Sequence, residues 1–210
     1  MPTLTAGSVI TDAQLVLQDT TGTRWDDVDE LLHWFNDGQR EIAAIRPDAC
    51  AVTAAFSCSA GTRQTLPSNA TSLIDVVRNA SGNAVRKAPR EIMDALRPDW
   101  HLDDQAATKH FMYDPRLPHE FYVWPPAVAS ASLTIRYQAA PTDAAALVDV
   151  MSVDDVYKPA LVSYVVWRAL NKESDETQTD ARASFRAHFD QFMGLKTQAD
   201  AAAAPKTDPE

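Results

Sequence analysis

The hydrophobic period of this chain changes twice, and those two changes limit what it can fold into. Val28, Leu31, Leu32, Phe35, Ile42 and Ile45 recur at helical spacing, the mark of one buried helix face. Asp26 or Asp27 can cap that helix, Glu30 adds negative charge to its first turn, and Pro47 ends it. From residue 51 the pattern becomes that of strands. Residues 51–57, 63–66, 73–78, 84–87, 109–113, 120–124 and 133–138 read as extended, divided by turns rich in Gly, Asn and Pro. A short helix over residues 89–96, with Pro89 near its first position, interrupts them. After residue 151 the helical period returns.

In that last third, Ser152 with Asp155 three residues on reads as a capping-box variant. A short turn should precede Pro159, because proline does not fit deep in a helix. Residues 158–171 then form a helix whose Leu161, Val162, Val165, Val166, Trp167 and Leu170 make it apolar around much of its circumference. Such a helix is buried on more than one side, by its own fold or by neighbouring subunits. A final helix over residues 177–199 carries the stripe Ala181, Phe185, Phe189 and Phe192. Near the start, Thr11 is the expected cap of a short helix over 12–18. Gly38 is unfavourable inside a helix by about 1 kcal/mol relative to Ala, and a close helix–helix approach would explain it.

Neither helical half can build a core alone, but together they make a bundle of three or four helices. The expected class is therefore α+β. Residues 1–50 and 152–200 form a discontinuous helical bundle. Residues 51–151 form an inserted, mainly antiparallel β subdomain with one short helix. Residues 201–210, an alanine run ending in Pro205-Lys206-Thr207-Asp208-Pro209-Glu210, have nothing to bury and are expected to be a flexible tail.

Composition narrows the function. The 210 residues are 45% hydrophobic, enough for a core, and carry a formal net charge of −10. An acidic chain lacks the basic face that phosphate neutralisation requires, which argues against sequence-reading DNA binding. The start has neither a basic nor an apolar stretch of a signal peptide. No run approaches the ~20 apolar residues of a membrane span. Cys50 and Cys58 flank one predicted strand, whose rise of about 3.3 Å per residue holds them too far apart to bridge, so both are expected as free thiols.

Chemical motifs are scarce. His33, His101, His110, His119 and His188 include no pair at the spacing of a helical zinc site. His101, His110 and His119 are evenly spaced, but their strand and loop positions read as scattered surface histidines. The doublets Asp26-Asp27, Asp103-Asp104 and Asp154-Asp155 could be paired carboxylates or a cation site. Two of the three stand where helices begin, so caps and dipole partners are the simpler reading. There is no GxSxG, no phosphate-cradling glycine loop and no CxxC pair. The five tryptophans lack interleaved basic residues and read as packing groups. The expectation is a protein without catalytic residues, cofactor or metal.

Three segments in order carry a family likeness. The first runs from Arg24-Trp25-Asp26-Asp27 through Leu31-Leu32-His33-Trp34-Phe35 to Arg46-Pro47. The second is Phe121-Tyr122-Val123-Trp124-Pro125-Pro126 with Leu133-Thr134-Ile135-Arg136-Tyr137. The third is Tyr157-Lys158-Pro159-Ala160-Leu161-Val162-Ser163-Tyr164-Val165-Val166-Trp167-Arg168. Over roughly residues 8–195 the chain resembles phage head-to-tail adaptors of the tail tubular protein A type, from short-tailed phages. The resemblance implies a virion protein that assembles as a homo-oligomeric ring, typically of twelve subunits, between the portal and the tail nozzle. DNA would pass through the lumen without sequence-specific binding, and no membrane would be involved. Such a protein is assembled in the host cytoplasm. Trp167, Tyr157, Phe189, Lys196 and Pro205 are the candidate partner-binding residues. The alternatives are a head- or tail-completion protein of a long-tailed phage, or, in another class, a small hydrolase or ligand- or carbohydrate-binding module.

Overall fold

The computed structural model describes residues 2–172 and 179–203. The class is α+β, as expected. The chain divides into two compact units, residues 1–46 with 141–210, and residues 47–140.

The first unit holds α1 (Ala6–Leu17), α2 (Leu32–Ile45), α4 (Lys158–Lys172) and α5 (Thr179–Ala203). Helix α1 starts earlier than expected. Thr5 is its N-cap, with a hydroxyl that accepts from the Ser8 N–H, and Thr11 lies inside the helix with its hydroxyl donating to the Gly7 carbonyl. The buried face is Ala6, Val9, Ile10, Ala13 and Gln14, a helical stripe that begins before Thr11. A π-helical turn, Asp27–Leu31, leads into α2, and Asp26 caps it by accepting from the N–H groups of Val28 and Asp29.

Helix α4 is the hub, packed against α1, α2 and α5. Its buried Leu161, Tyr164, Val165, Val166 and Leu170 are thus covered by the chain's own fold. At its start Asp154, not Ser152, is the cap of a 3₁₀ turn, Asp155–Tyr157, that runs into α4. The expected capping box does not form. The Ser152 hydroxyl donates to the Thr142 carbonyl, and Asp155 accepts from the N–H and hydroxyl of Thr3 and the N–H of Leu4. On α5, Phe189 and Met193 are buried, Phe185 and Phe192 half-buried, and Ala181 exposed. Ala201–Ala203 continue α5; residues 204–210 lie outside the described residues.

Residues 141–151 belong with this helical unit, whereas the sequence pattern groups them with the strands. They are tied there by main-chain bonds: Ala6 N–H donates to Asp149, Gly7 N–H to Leu147, and Met151 N–H to the Leu4 carbonyl. Hydrogen bonds of this kind leave no periodic trace in side-chain chemistry.

The second unit opens with a 3₁₀ turn, Pro47–Cys50, and contains two sheets. One is β1 (Ala51–Ser57), β7 (Ser132–Ala139) and β3 (Ala70–Asn79), in that order and antiparallel. The other runs β2 (Gly61–Thr65), β6 (Glu120–Ala127), β5 (His110–Met112) and β4 (Arg86–Lys87), with only the β4–β5 pair parallel. The core draws Phe56, Val76, Leu133 and Ile135 from the first sheet and Phe111, Phe121 and Val123 from the second. Removing a side chain of this size from water contributes roughly 1.5–3 kcal/mol. Strand β6 does not stop at Trp124 but runs through Pro125 and Pro126. The prolines fit because the β2–β6 ladder breaks there: Gly61 faces Ala127, while Arg63 faces Tyr122. Proline, lacking an N–H, is tolerated where a ladder bond is already missing. Helix α3 (Arg90–Leu96) completes the unit.

Candidate interaction surfaces

The five residues singled out for partner contact are distributed unevenly. Tyr157 is buried, its ring 6.3 Å from that of Phe192. Phe189 is fully buried, 5.4 Å from the ring of Tyr164. Trp167 is half-buried; one edge meets Tyr164, and the Arg186 guanidinium stands 5.0 Å from its ring centre. Arg186 is in turn held by Glu41 at 2.7 Å. Of these three, Trp167 keeps surface open to solvent. Lys196 lies on α5, near its end, and Pro205 lies outside the described residues.

Five of the six residues in the acidic doublets, all but exposed Asp104, are engaged in folding contacts. Asp26 caps, and the N–H groups of Asp29 and Val28 hold its carboxyl below the ordinary range. Asp27 accepts from the Gln14 amide. Asp103 accepts from Arg97 at 2.8 Å and from the Trp124 indole at 2.7 Å. Asp154 caps the turn before α4. The Thr3 hydroxyl, then the N–H groups of Thr3 and Leu4, lower the Asp155 carboxyl. His101 stacks on Trp100 at 3.7 Å and bonds to Thr62, and His110 lies 5.6 Å from the Trp124 ring. Among the described residues, no three His, Cys, Asp or Glu side chains converge as a metal site would require. Cys50 and Cys58 are free and buried, and burial pushes each thiol up to about 11.

An open cleft of about 670 Å³ lies in the β unit, between the start of α3 and the loop joining β5 to β6. Several of its charged groups are matched, and Lys87 and Glu91 also line it. Arg90 pairs with Asp94 at 3.4 Å and lies 5.1 Å over the Tyr122 ring; Arg116 pairs with Asp114; Arg63 holds Glu120. The Arg116 N–H is the first of several groups that lower the Asp114 carboxyl. A cleft lined largely by paired charges can seat a polar or peptide-like surface. It presents no activated nucleophile with an adjacent base, as covalent catalysis would need.

Two surface features escaped the pattern of hydrophobic periods. Helix α3 buries none of its residues, and Ile92 and Leu96 are exposed, as is nearby Leu102 at 86%. The eight residues between Pro89 and Pro98 are too few to stand as a helix for their own stability, and this was the available signal. The second feature is charge. Residues 47–140 contain nine basic and nine acidic residues, so the entire −10 resides in the helical unit, with ten basic against twenty acidic. Whole-chain net charge concealed this division.

One comparison with known proteins is informative. A family model described as SU10 adaptor protein matches residues 4–208, covering both units. No curated protein matches the chain.

Proposed function

The chain belongs to the SU10 adaptor protein family, and on that premise we propose that it is one subunit of a ring joining the portal to the tail nozzle. It is a phage head-to-tail adaptor, a structural component of the virion. The finer reading follows the tail tubular protein A type: a ring of about twelve copies whose lumen forms part of the DNA conduit. The observation that carries it is the family match over residues 4–208, which leaves neither unit outside the adaptor.

Charge supports the conduit. The helical unit's excess of acidic residues makes a wall that repels a polyanion, though over only about 8 Å at physiological salt. We read the helical unit as the portal-facing part, with Trp167 and the end of α5 near Lys196 as contacts, and Pro205 in a segment that orders on the portal. The β unit, with its exposed α3 and open cleft, is read as the nozzle-facing part. The protein acts by holding its neighbours in register and has no chemistry of its own. Among the described residues, no helix is long and apolar enough to cross a membrane.

Deletion of residues 195–210 tests the docking assignment. Portal binding should weaken at least tenfold, about 1.4 kcal/mol, while the melting temperature of the free chain stays unchanged. Undiminished binding would remove the α5 end from the interface.

A further inference from the structure

Strand β1 differs from every other sheet end in the β unit. A strand at a sheet edge presents a row of unpaired N–H and C=O groups, and chains that stay single blunt that row with charges, prolines, bulges or short length. Three ends are blunted here. β4 has two residues, both charged. β3 shifts register three times against β7, carries Asp75 and Arg78, and is met at its end by a bridge from Arg78 to Ala84. β2 carries Arg63 and a break in its ladder. β1 has none of these devices. Its seven residues, Ala51-Val52-Thr53-Ala54-Ala55-Phe56-Ser57, hold no charge and no proline. Its ladder with β7 runs unbroken from Ala51↔Gln138 to Ser57↔Ser132.

The free side of β1 is also accessible. Ala51, Val52, Thr53, Ala55 and Ser57 are exposed. The Cys58 N–H donates to the Ala131 carbonyl just beyond the strand, and antiparallel alternation from that bond turns the main-chain groups of Ala51, Thr53, Ala55 and Ser57 outward. Val52, opposite buried Tyr137, extends the core face past the sheet's edge, where an added strand would cover it.

We propose that β1 is a docking edge that takes up, by main-chain pairing, a second copy of this chain, the next subunit around the ring. Charge selects that occupant. Two helical units, each at −10, repel at close range, while the β units are neutral and can approach within strand-pairing distance of about 4.8 Å. Ring closure further requires a head-to-tail contact, so β1 meets a different surface of its neighbour rather than another β1. The pairing supplies main-chain bonds along the edge and a cover for Val52, the strand-addition mode of recognition. The inference rests on the ring reading for its partner and on the β1 edge for its site.

Hydrogen exchange on the full chain tests it, first as the dilute free protein and then as the oligomer assembled on its portal. The outward amides of Ala51, Thr53, Ala55 and Ser57 should slow on the order of 100-fold on assembly, with those of β3 unchanged. Ala55→Pro, which removes an outward N–H, and Ala55→Lys, which adds a blocking charge, should each reduce assembly at least tenfold without lowering the melting temperature of the free chain. A ring that forms with β1 exchange unchanged, from wild type and both variants alike, overturns the β1 assignment and leaves the ring reading standing. Protection of β1 by the portal before copies join overturns the second-copy assignment. Failure of any oligomer to form defeats the ring reading and this proposal with it.

Discussion

Gly38 of α2 lies so close to Tyr164 of α4 that a Cβ at Gly38 would sit 2.9 Å from Tyr164 Cδ1 and 3.1 Å from Leu161 Cδ2. The glycine that looked costly in a helix is the point at which α2 meets the hub of the bundle. Alanine would gain about 1 kcal/mol of helix propensity, whereas overpacking a filled core costs typically ~1–3 kcal/mol. Tyr164 and Leu161 are buried and have little room to yield. Gly38→Ala should therefore be destabilising by about 1 kcal/mol net, a fall of about 2–4 °C in Tm by thermal melting. A raised Tm would show that the Tyr164 ring moves aside at no cost.

The Asn36 side chain acts as a strand would toward residue 144. Its amide donates to the Ala144 carbonyl at 3.0 Å, and its oxygen accepts from the Ala144 N–H at 2.9 Å, with both residues buried. Asn36→Ala leaves two buried main-chain groups without partners, at about 1–3 kcal/mol each. A loss of about 2–4 kcal/mol is expected in urea unfolding, with the slope unchanged. A loss under about 0.5 kcal/mol, the range of a surface substitution, would mean that the segment is held by its other bonds.

Acid should unfold the protein through a few identifiable carboxylates. Burial raises Asp19, but the N–H groups of Arg24, Trp25 and Thr23 outweigh it and hold the carboxyl below its ordinary value. Asp26 and Asp155 are lowered in the same direction. Because the folded values lie below the unfolded ones, their contribution is complete above the ordinary carboxylate value near ~4. It is lost as pH falls through the folded values. Stability should hold from neutral pH to about 5 and decline below about 4. Asp19→Asn should start less stable at pH 7 and lose less between pH 5 and 3. Equal losses in the two proteins would exclude Asp19 from the acid response.

The two thiols should be silent until the β unit opens. Burial pushes Cys50 and Cys58 up to about 11, so the reactive thiolate is scarce at pH 8. Ellman's reagent should label neither in the native protein and both in denaturant. Rapid native labelling would show that this region opens readily.

Much of this fold was legible because it is written in side-chain period. The order of helices and strands follows from stripes such as Leu31, Leu32, Phe35 and Ile42, although Val28 and Ile45, expected on the same buried face, are exposed, and Gly38 announced its helix contact. What escaped was carried by the main chain or by alternation among neighbours. Residues 141–151 are fixed by carbonyls of Leu147 and Asp149, which any sequence possesses. Thr5 and Thr11 are equally good caps in isolation, and the Ala6, Val9, Ile10 face decides between them. Asp154 displaces Ser152 as cap because Asp155 is drawn to Thr3 and Leu4, over 150 residues away. The apolar circumference of α4 allowed for neighbouring subunits, but α1, α2 and α5 cover it, so it no longer argues for a ring. The interaction surfaces were least legible, since an exposed helix such as α3 follows the same pattern as a buried one.

Cryo-electron microscopy of the full chain mixed with its portal tests the central claim most directly. The account predicts a closed ring of this chain seated on the portal, with an unobstructed lumen wide enough for duplex DNA. Portals without bound chain, beside monomers of it, would contradict it.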